Sequence, residues 1–286
     1  MRPDFWITQT FNGLSYGALL FLLASGLSLI FGVMRIVNLA HGSYFLLGGY
    51  IGLSVIWRTG SFPLALLGGA VAVALVGIGM ERVFLRRLGT QTLGQVLMTI
   101  GFALIFQDLA LLIWGGDPYS LPLPPLLSGV ITVGDLRFPR YRLFILILAV
   151  VIGAALWVAL DRTRIGAKIR AAVDDAEMAQ GVGIRVPTVS MGVFALGAFL
   201  AALGGVIGAG FLGVYPGLDF EILPYAFVVV IVGGLGSLPG AMVGSLLVGL
   251  LDNFGKALFP ELAYFTLFAP MALILALRPT GLFGRT

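Results

Sequence analysis

The sequence predicts an all-α fold: a polytopic membrane helix bundle of about eight transmembrane segments. Three observations predict it. Of the 286 residues, 59% are hydrophobic and only 10% are charged, and the apolar residues gather into long uncharged runs. Soluble domains carry about 25% charged residues, so no water-soluble body of this size could hide so much apolar surface. A mean hydropathy of +1.06 agrees. Residues 1–286 read as a single transmembrane domain.

The first segment, Phe11 to Val33, holds 23 residues without a charge, about 34 Å as a helix, which matches the roughly 30 Å hydrocarbon core. It is too long for a signal-peptide apolar region, and Ala24, Ser25 and Gly26 lie inside it, so it is expected to be retained. Tyr44 to Trp57 is short and either crosses or re-enters. Phe62 to Met80, Leu93 to Trp114, Leu143 to Leu160 and Val186 to Val214 are the next four. Ile222 to Leu251 is uncharged over 30 residues but broken by Gly233, Gly234, Gly236, Pro239 and Gly240. One bent helix or two short ones fit it. Leu262 to Leu277 is the last.

Lys and Arg in short loops orient such a chain. Arg82, Arg86 and Arg87 form one basic cluster; Arg162, Arg164, Lys168, Arg170 and Arg185 form another. Two crossings separate them, so both face the cytoplasm. Arg278 and Arg285 place the carboxyl end there too. Leu212 to Leu223, with Asp219 and Glu221, suits the outside. Residues 115–142 then also fall outside, as a rigid loop carrying Pro118, Pro122, Pro124, Pro125 and Pro139, although Arg137, Arg140 and Arg142 count against that side. If Tyr44 to Trp57 crosses, the chain starts outside.

Several classes of chemistry are excluded. The net charge of +4 is spread between apolar runs instead of forming a nucleic-acid patch. The sequence has no cysteine and one histidine, His41, so neither a thiolate nor a multi-histidine metal site is expected. There is no phosphate-binding loop, nucleophile elbow or zinc helix. Catalysis, catalytic residues and a bound cofactor are not expected.

Small residues recur every four positions at Gly197, Ala201, Gly205, Ala209 and Gly213, and again at Gly236, Gly240 and Gly244. Such a stripe lies on one helix face and lets a neighbouring backbone approach. Two places suggest more than packing. Asn38, His41 and Gly42 form a polar patch ahead of a short apolar stretch, and Gly234 and Ser237 sit in the Gly/Pro break at 233–240. Interrupted segments of this kind point to a substrate path, because half-helix ends leave N–H groups free; a plain turn is the alternative in each case. Gln107 and Asp108, near the end of their segment, either line a pathway or sit at the interface. Asp252 and Asn253 invite the same two readings.

The most polar stretch is the loop at about 161–186. Ala172 to Gln180 reads as a short helix stopped by Gly181 and Gly183. It is either a solvated connector or a docking element for a cytoplasmic partner, and a connector needs only a few residues.

Motifs along nearly the whole chain resemble those of LivH-type permeases of bacterial branched-chain amino acid ABC importers. They are the run Arg35 to Gly42, the loop residues Thr163 to Gly166, Arg170, Ala171, Asp175 to Ala179 and Gly181 to Ile184, the Gly-rich stretch Gly233 to Ala241, and Pro279 to Gly284. The resemblance implies a multi-pass protein of the bacterial cytoplasmic (inner) membrane with no nucleotide site of its own, ATP being bound by partner subunits. It implies a second, LivM-like permease subunit, two cytoplasmic ABC ATPase subunits and an extracytoplasmic substrate-binding protein as partners. Asp174, Asp175, Ala176, Glu177, Gly181 and Gly183 would couple to the ATPase. Relatives of this architecture also take urea, amides or aromatic acids. An ion-coupled secondary transporter is the competing class, and it would need an ionisable relay for which only Asp108 qualifies.

Overall fold

The computed structural model describes residues 3–89, 91–134 and 136–284; Arg285, one of the basic residues used for orientation, lies outside them. Helix α1 (Pro3–Met34) ends at Arg35, which takes a left-handed backbone angle (φ 54°). Residues 35–40 are non-helical, with Ile36, Asn38 and Ala40 buried. α2 (His41–Thr59) follows and is closed by Gly60 in the left-handed region. α3 (Phe62–Met80) carries Pro63 in its first turn, where no N–H partner is needed. It runs through a π-helical turn at Glu81–Leu85 into the short α4 (Arg86–Leu88). α5 (Thr92–Trp114) leads to a long loop.

That loop departs from an all-helical expectation. It carries an antiparallel hairpin of β1 (Val130–Val133) and β2 (Leu136–Pro139), with Ile131 opposite Phe138. α6 (Arg140–Arg162), α7 (Arg164–Asp174), α8 (Ala176–Gly181) and α9 (Val186–Phe211) come next, then α10 (Leu218–Gly233), α11 (Leu238–Leu258) and α12 (Ala263–Leu277). The broken run near 233–240 is therefore two helices. Its hinge is Gly234, at φ 105°, followed by Gly236 at 78°; both angles favour glycine.

Among the described residues, six helices are long and apolar enough to cross a membrane: α1, α3 with its extension, α5, α6, α9 and α11. Helices α1 and α9 are innermost, with 78% and 72% of their most apolar windows buried against 22% for α5 and α6. A helix apolar all round and buried all round belongs at the centre. The outer helices turn rows such as Leu104, Ile105 and Leu112 of α5 and Ile147, Val150 and Val151 of α6 outward, the surface that lipid tails cover.

Close backbone approach holds the centre together. α11 runs antiparallel to α1, since Gly13 faces Leu250, Gly17 faces Ser245 and Gly32 faces Gly236. α9 also runs antiparallel to α1, with Gly26 against Gly197 and Gly204 against Leu22. α2 crosses α9 so tightly that a Cβ on Gly205 would overlap the Phe45 carbonyl oxygen. Ala201 and Ala209 are fully buried on the same helix. Gly213 is a correction to the stripe: α9 ends at Phe211, two residues earlier, and Gly213 instead serves a left-handed turn at φ 83°.

The end of α10 is finished by a distant part of the chain. The Leu282 N–H donates to the Val232 carbonyl and the Phe283 N–H to the Gly233 carbonyl, both at 2.9 Å. Those two carbonyls have no partner within the helix, so the segment after α12 acts as the cap.

Candidate functional site

A connected set of buried polar groups surrounds the start of α2. The Asn38 Oδ1 accepts from the Ala40 N–H at 3.1 Å, and the Asn38 carbonyl accepts from the His41 N–H at 3.2 Å. The His41 Nε2 lies 2.9 Å from the Leu23 carbonyl oxygen of α1. The Leu39 N–H donates to Thr99 Oγ1 of α5 at 3.2 Å. Ser43 donates to Oδ2 of Asp219, in the first turn of α10, at 2.8 Å. Gly42 makes this approach possible, because a Cβ there would overlap the Asp219 carbonyl oxygen.

Four buried polar atoms here complete no hydrogen bond, Asn38 Nδ2, His41 Nδ1, Tyr50 Oη and Asp219 Oδ1, although Asn38 lies beside the Tyr44 hydroxyl and the Phe220 N–H beside the Asp219 carboxylate. Unpaired buried polar atoms are few in native proteins and each calls for an explanation. Tyr50 lies two turns along α2, stacked on Trp114 at 4.9 Å, whose Nε1 donates to Ser54 at 2.7 Å.

The structure thus brings Asn38, His41 and Gly42 together and adds Ser43, Thr99, Tyr50 and Asp219. Gln107 faces the same region, its Nε2 being 3.8 Å from where a Cβ on Gly217 would lie. Asp108 does not join them: it is exposed on the outer side of α5, next to Leu104 and Ile105. Gly234 and Ser237 sit elsewhere. Gly234 abuts Phe283 and Gly284. The Ser237 Oγ caps α11 by accepting from the Gly240 N–H at 3.1 Å, and its carbonyl accepts from Ser28 at 3.3 Å. Among the described residues, no hydrogen bond or ring contact joins the two interruptions.

Two other buried acids are fully engaged. Glu81 accepts from Arg86 through both oxygens, at 3.1 and 2.8 Å, and Arg86 also donates to the Pro187 carbonyl at the start of α9. Asp252 pairs with Lys256 at 2.8 Å and accepts from Tyr225 at 3.1 Å. Arg142 has a structural use as well, bonding to Asn12 and lying 5.0 Å over the Phe211 ring.

On the hairpin side of the bundle, Tyr119 and Val214 exchange backbone hydrogen bonds at 2.9 and 2.7 Å, tying the long loop to the α9–α10 turn. There the Tyr215 hydroxyl donates to Glu221 at 2.7 Å. Burial, then that bond and the carboxylate's charge, push the Tyr215 phenol up to about 12.

At the opposite end, α7 and α8 form an elbow instead of the one helix expected over Ala172 to Gln180. Asp174 closes α7. Asp175 is extended (φ −152°) and caps α8, its Oδ1 accepting from the N–H groups of Glu177 at 3.0 Å and Met178 at 2.9 Å. Gly181 ends α8 and Gly183 turns the chain at φ 86°. Ala179 is buried, whereas Glu177 and the large apolar side chains of Met178 (67% exposed) and Val182 (72%) point away from the bundle. Water-exposed apolar residues in the most charged loop of the chain form a contact face. Beside it, Ile165, Ile169, Ile184, Val189 and Val193 line a groove of about 520 Å³ between α7 and α9.

A packed bundle of long apolar helices with a broken-helix polar interior and a charged elbow defines a multi-pass membrane protein. The profile of the family described as "Branched-chain amino acid transport system / permease component" matches residues 9–277. The chain belongs to that family. It is 30% identical to the high-affinity branched-chain amino acid transport system permease protein BraD of Pseudomonas aeruginosa, over 98% of this chain and 96% of the relative. It is also 30% identical to the permease protein LivH of Escherichia coli K12, with the same two coverages. The ribose import permease protein RbsC of Haemophilus influenzae is 26% identical over 88% of this chain and 79% of its own length. No solved structure matches the chain.

Proposed function

We propose that the chain is the conduit-forming permease subunit of an ATP-driven importer of branched-chain amino acids in a bacterial inner membrane. It works with a second, related permease subunit, two cytoplasmic ATPase subunits that bind the ATP, and an extracytoplasmic binding protein that delivers the solute. No cofactor belongs to this chain. The observation that carries the reading is the α7–α8 elbow: Asp174, Asp175, Ala176, Glu177, Gly181 and Gly183 shape a short capped helix that presents Met178 to a partner. A helix this short is marginal alone in water and is suited to a groove on an ATPase. Nucleotide can shift the permease only if the elbow contacts the two ATPase states unequally.

Nine helices cross or enter the bilayer in this reading: α1, α2, α3, α5, α6 and α9 to α12. The elbow and Arg86 lie inside, and the β-hairpin and the start of α1 lie outside. Solute passes along the interior at Asn38, His41, Gly42 and Gln107. The stripe of Gly197, Ala201, Gly205 and Ala209 keeps α9 close to α1 and α2.

The test is reconstitution. Vesicles holding this chain with its permease partner, ATPase subunits and leucine-loaded binding protein accumulate leucine when given ATP, and vesicles holding the chain alone accumulate none. Uphill accumulation by the lone chain overturns the reading.

A further inference from the structure

The described part of the chain buries three acids almost completely: Glu81 (2% exposed), Asp252 (3%) and Asp219 (2%). A carboxylate removed from water needs a cation or several donors, or the interior loses free energy. Glu81 has Arg86 and Asp252 has Lys256. Among the described residues, Asp219 has no cation: Ser43 donates to its Oδ2, the backbone N–H groups of Phe220 and of Asp219 itself lie beside the carboxylate, and its Oδ1 completes no hydrogen bond. The first turn of α2 presents the complementary deficiency. Ala40 stands at its N-cap without a side-chain hydrogen bond, so the N–H groups of Gly42 and Ser43 meet none of the usual capping oxygens. Ser43 fixes the carboxylate beside these amides, and Gly42 lets the two helix starts touch.

We propose that Asp219 binds the ammonium group of an α-amino acid in transit, while the first-turn amides of α2 bind its carboxylate. The inference rests on the reading above that the conduit carries amino acids. An α-amino acid holds a cation and an anion two bonds apart, and this site offers one anion and a free helix N-terminus side by side. A neutral amide solute needs no buried carboxylate. The orphan Asn38 Nδ2 and Tyr50 Oη are further polar atoms for the same ligand or its water.

The test uses the whole transporter in vesicles with leucine, reading uptake and the ATP hydrolysis stimulated by leucine-loaded binding protein. Asp219→Asn keeps the volume and an acceptor for Ser43 but removes the charge. Its uptake should fall by about 30-fold, as when one member of a buried charge pair is removed, while stimulated hydrolysis stays within about twofold. Asp219→Glu should retain part of the uptake, and Ser43→Ala, which loosens the carboxylate but leaves its charge, should lose less than Asp219→Asn. Wild-type uptake by Asp219→Asn overturns the assignment. So does failure of that variant to assemble, which would make the charge structural, and so does a loss in Ser43→Ala as large as that in Asp219→Asn. If the wild-type transporter takes up no leucine, the transport reading fails and this site with it; if only the variants depart from expectation, the site alone fails.

Discussion

At Gly205 one hydrogen atom decides whether two helices can cross. The position where a Cβ would stand is already filled by the Phe45 backbone oxygen, and backbone cannot swing aside as a flexible side chain can. Gly205→Leu should therefore cost more than about 3 kcal/mol, read as loss of folded protein from the membrane fraction, while Leu at exposed Gly79, which meets nothing within 4 Å, should be tolerated. This residue was legible from sequence because spacing by four marks a helix face. Asp219 was not. In the sequence it stands with Glu221 in a stretch that suits the outside, and only the fold reveals that its neighbour Leu218 starts a helix whose first turn lies against Gly42. Glu81 was hidden for a similar reason: it directly precedes the basic cluster, and pairing through a π-helical turn leaves no periodic trace.

At the scale of elements, long apolar runs announced α3, α5, α6 and α9 almost to their ends, because a 30 Å slab demands about 20 apolar residues. α1 instead starts at Pro3, well before the expected Phe11, because its first turns carry Asp4 and polar residues that no uncharged run marks. The elbow was less legible. Asp174 and Asp175 look like two positions of one helix, yet an Asp followed by Glu177 and Met178 is also a helix-capping pattern, and that is the role Asp175 takes. Asp175→Ala should destabilise α8 by about 1 kcal/mol and lower ATP-driven uptake without reducing the amount of permease in the membrane. Asp175→Ser should restore most of it, since the hydroxyl accepts the same N–H groups. Equal uptake by the Ala variant and wild type would show that the cap has no part in coupling. α2 was equally hard to read: its polar, glycine-rich start lowers its hydropathy because that end lies among protein groups and not among lipid.

For the whole molecule, the antiparallel pairing of α1 with α9 and α11 fixes which ends share a side. Because the sequence has no cysteine, single cysteines can report sides without background labelling. A cysteine at Asp4 or Ser128 should react with an impermeant maleimide on intact cells, and one at Glu177 or Arg87 only after the membrane is opened. The opposite pattern would invert the bundle. Of the three arginines near the β-hairpin, which opposed this orientation in the sequence, Arg142 weighs less in the fold, since it is held by Asn12 and Phe211. The polar cluster at the start of α2 is the part least written in sequence, since it joins Ser43 to Asp219, 176 positions away, and their meeting depends on every helix between them.

The cap on α10 also says something about birth order. A ribosome completes Gly233 about fifty residues before Phe283, so the two N–H groups that close α10 join the chain only after the helix they cap. The far end of the helix that begins beside Asp219 is thus closed by one of the last segments of the chain to be made, the stretch beyond α12.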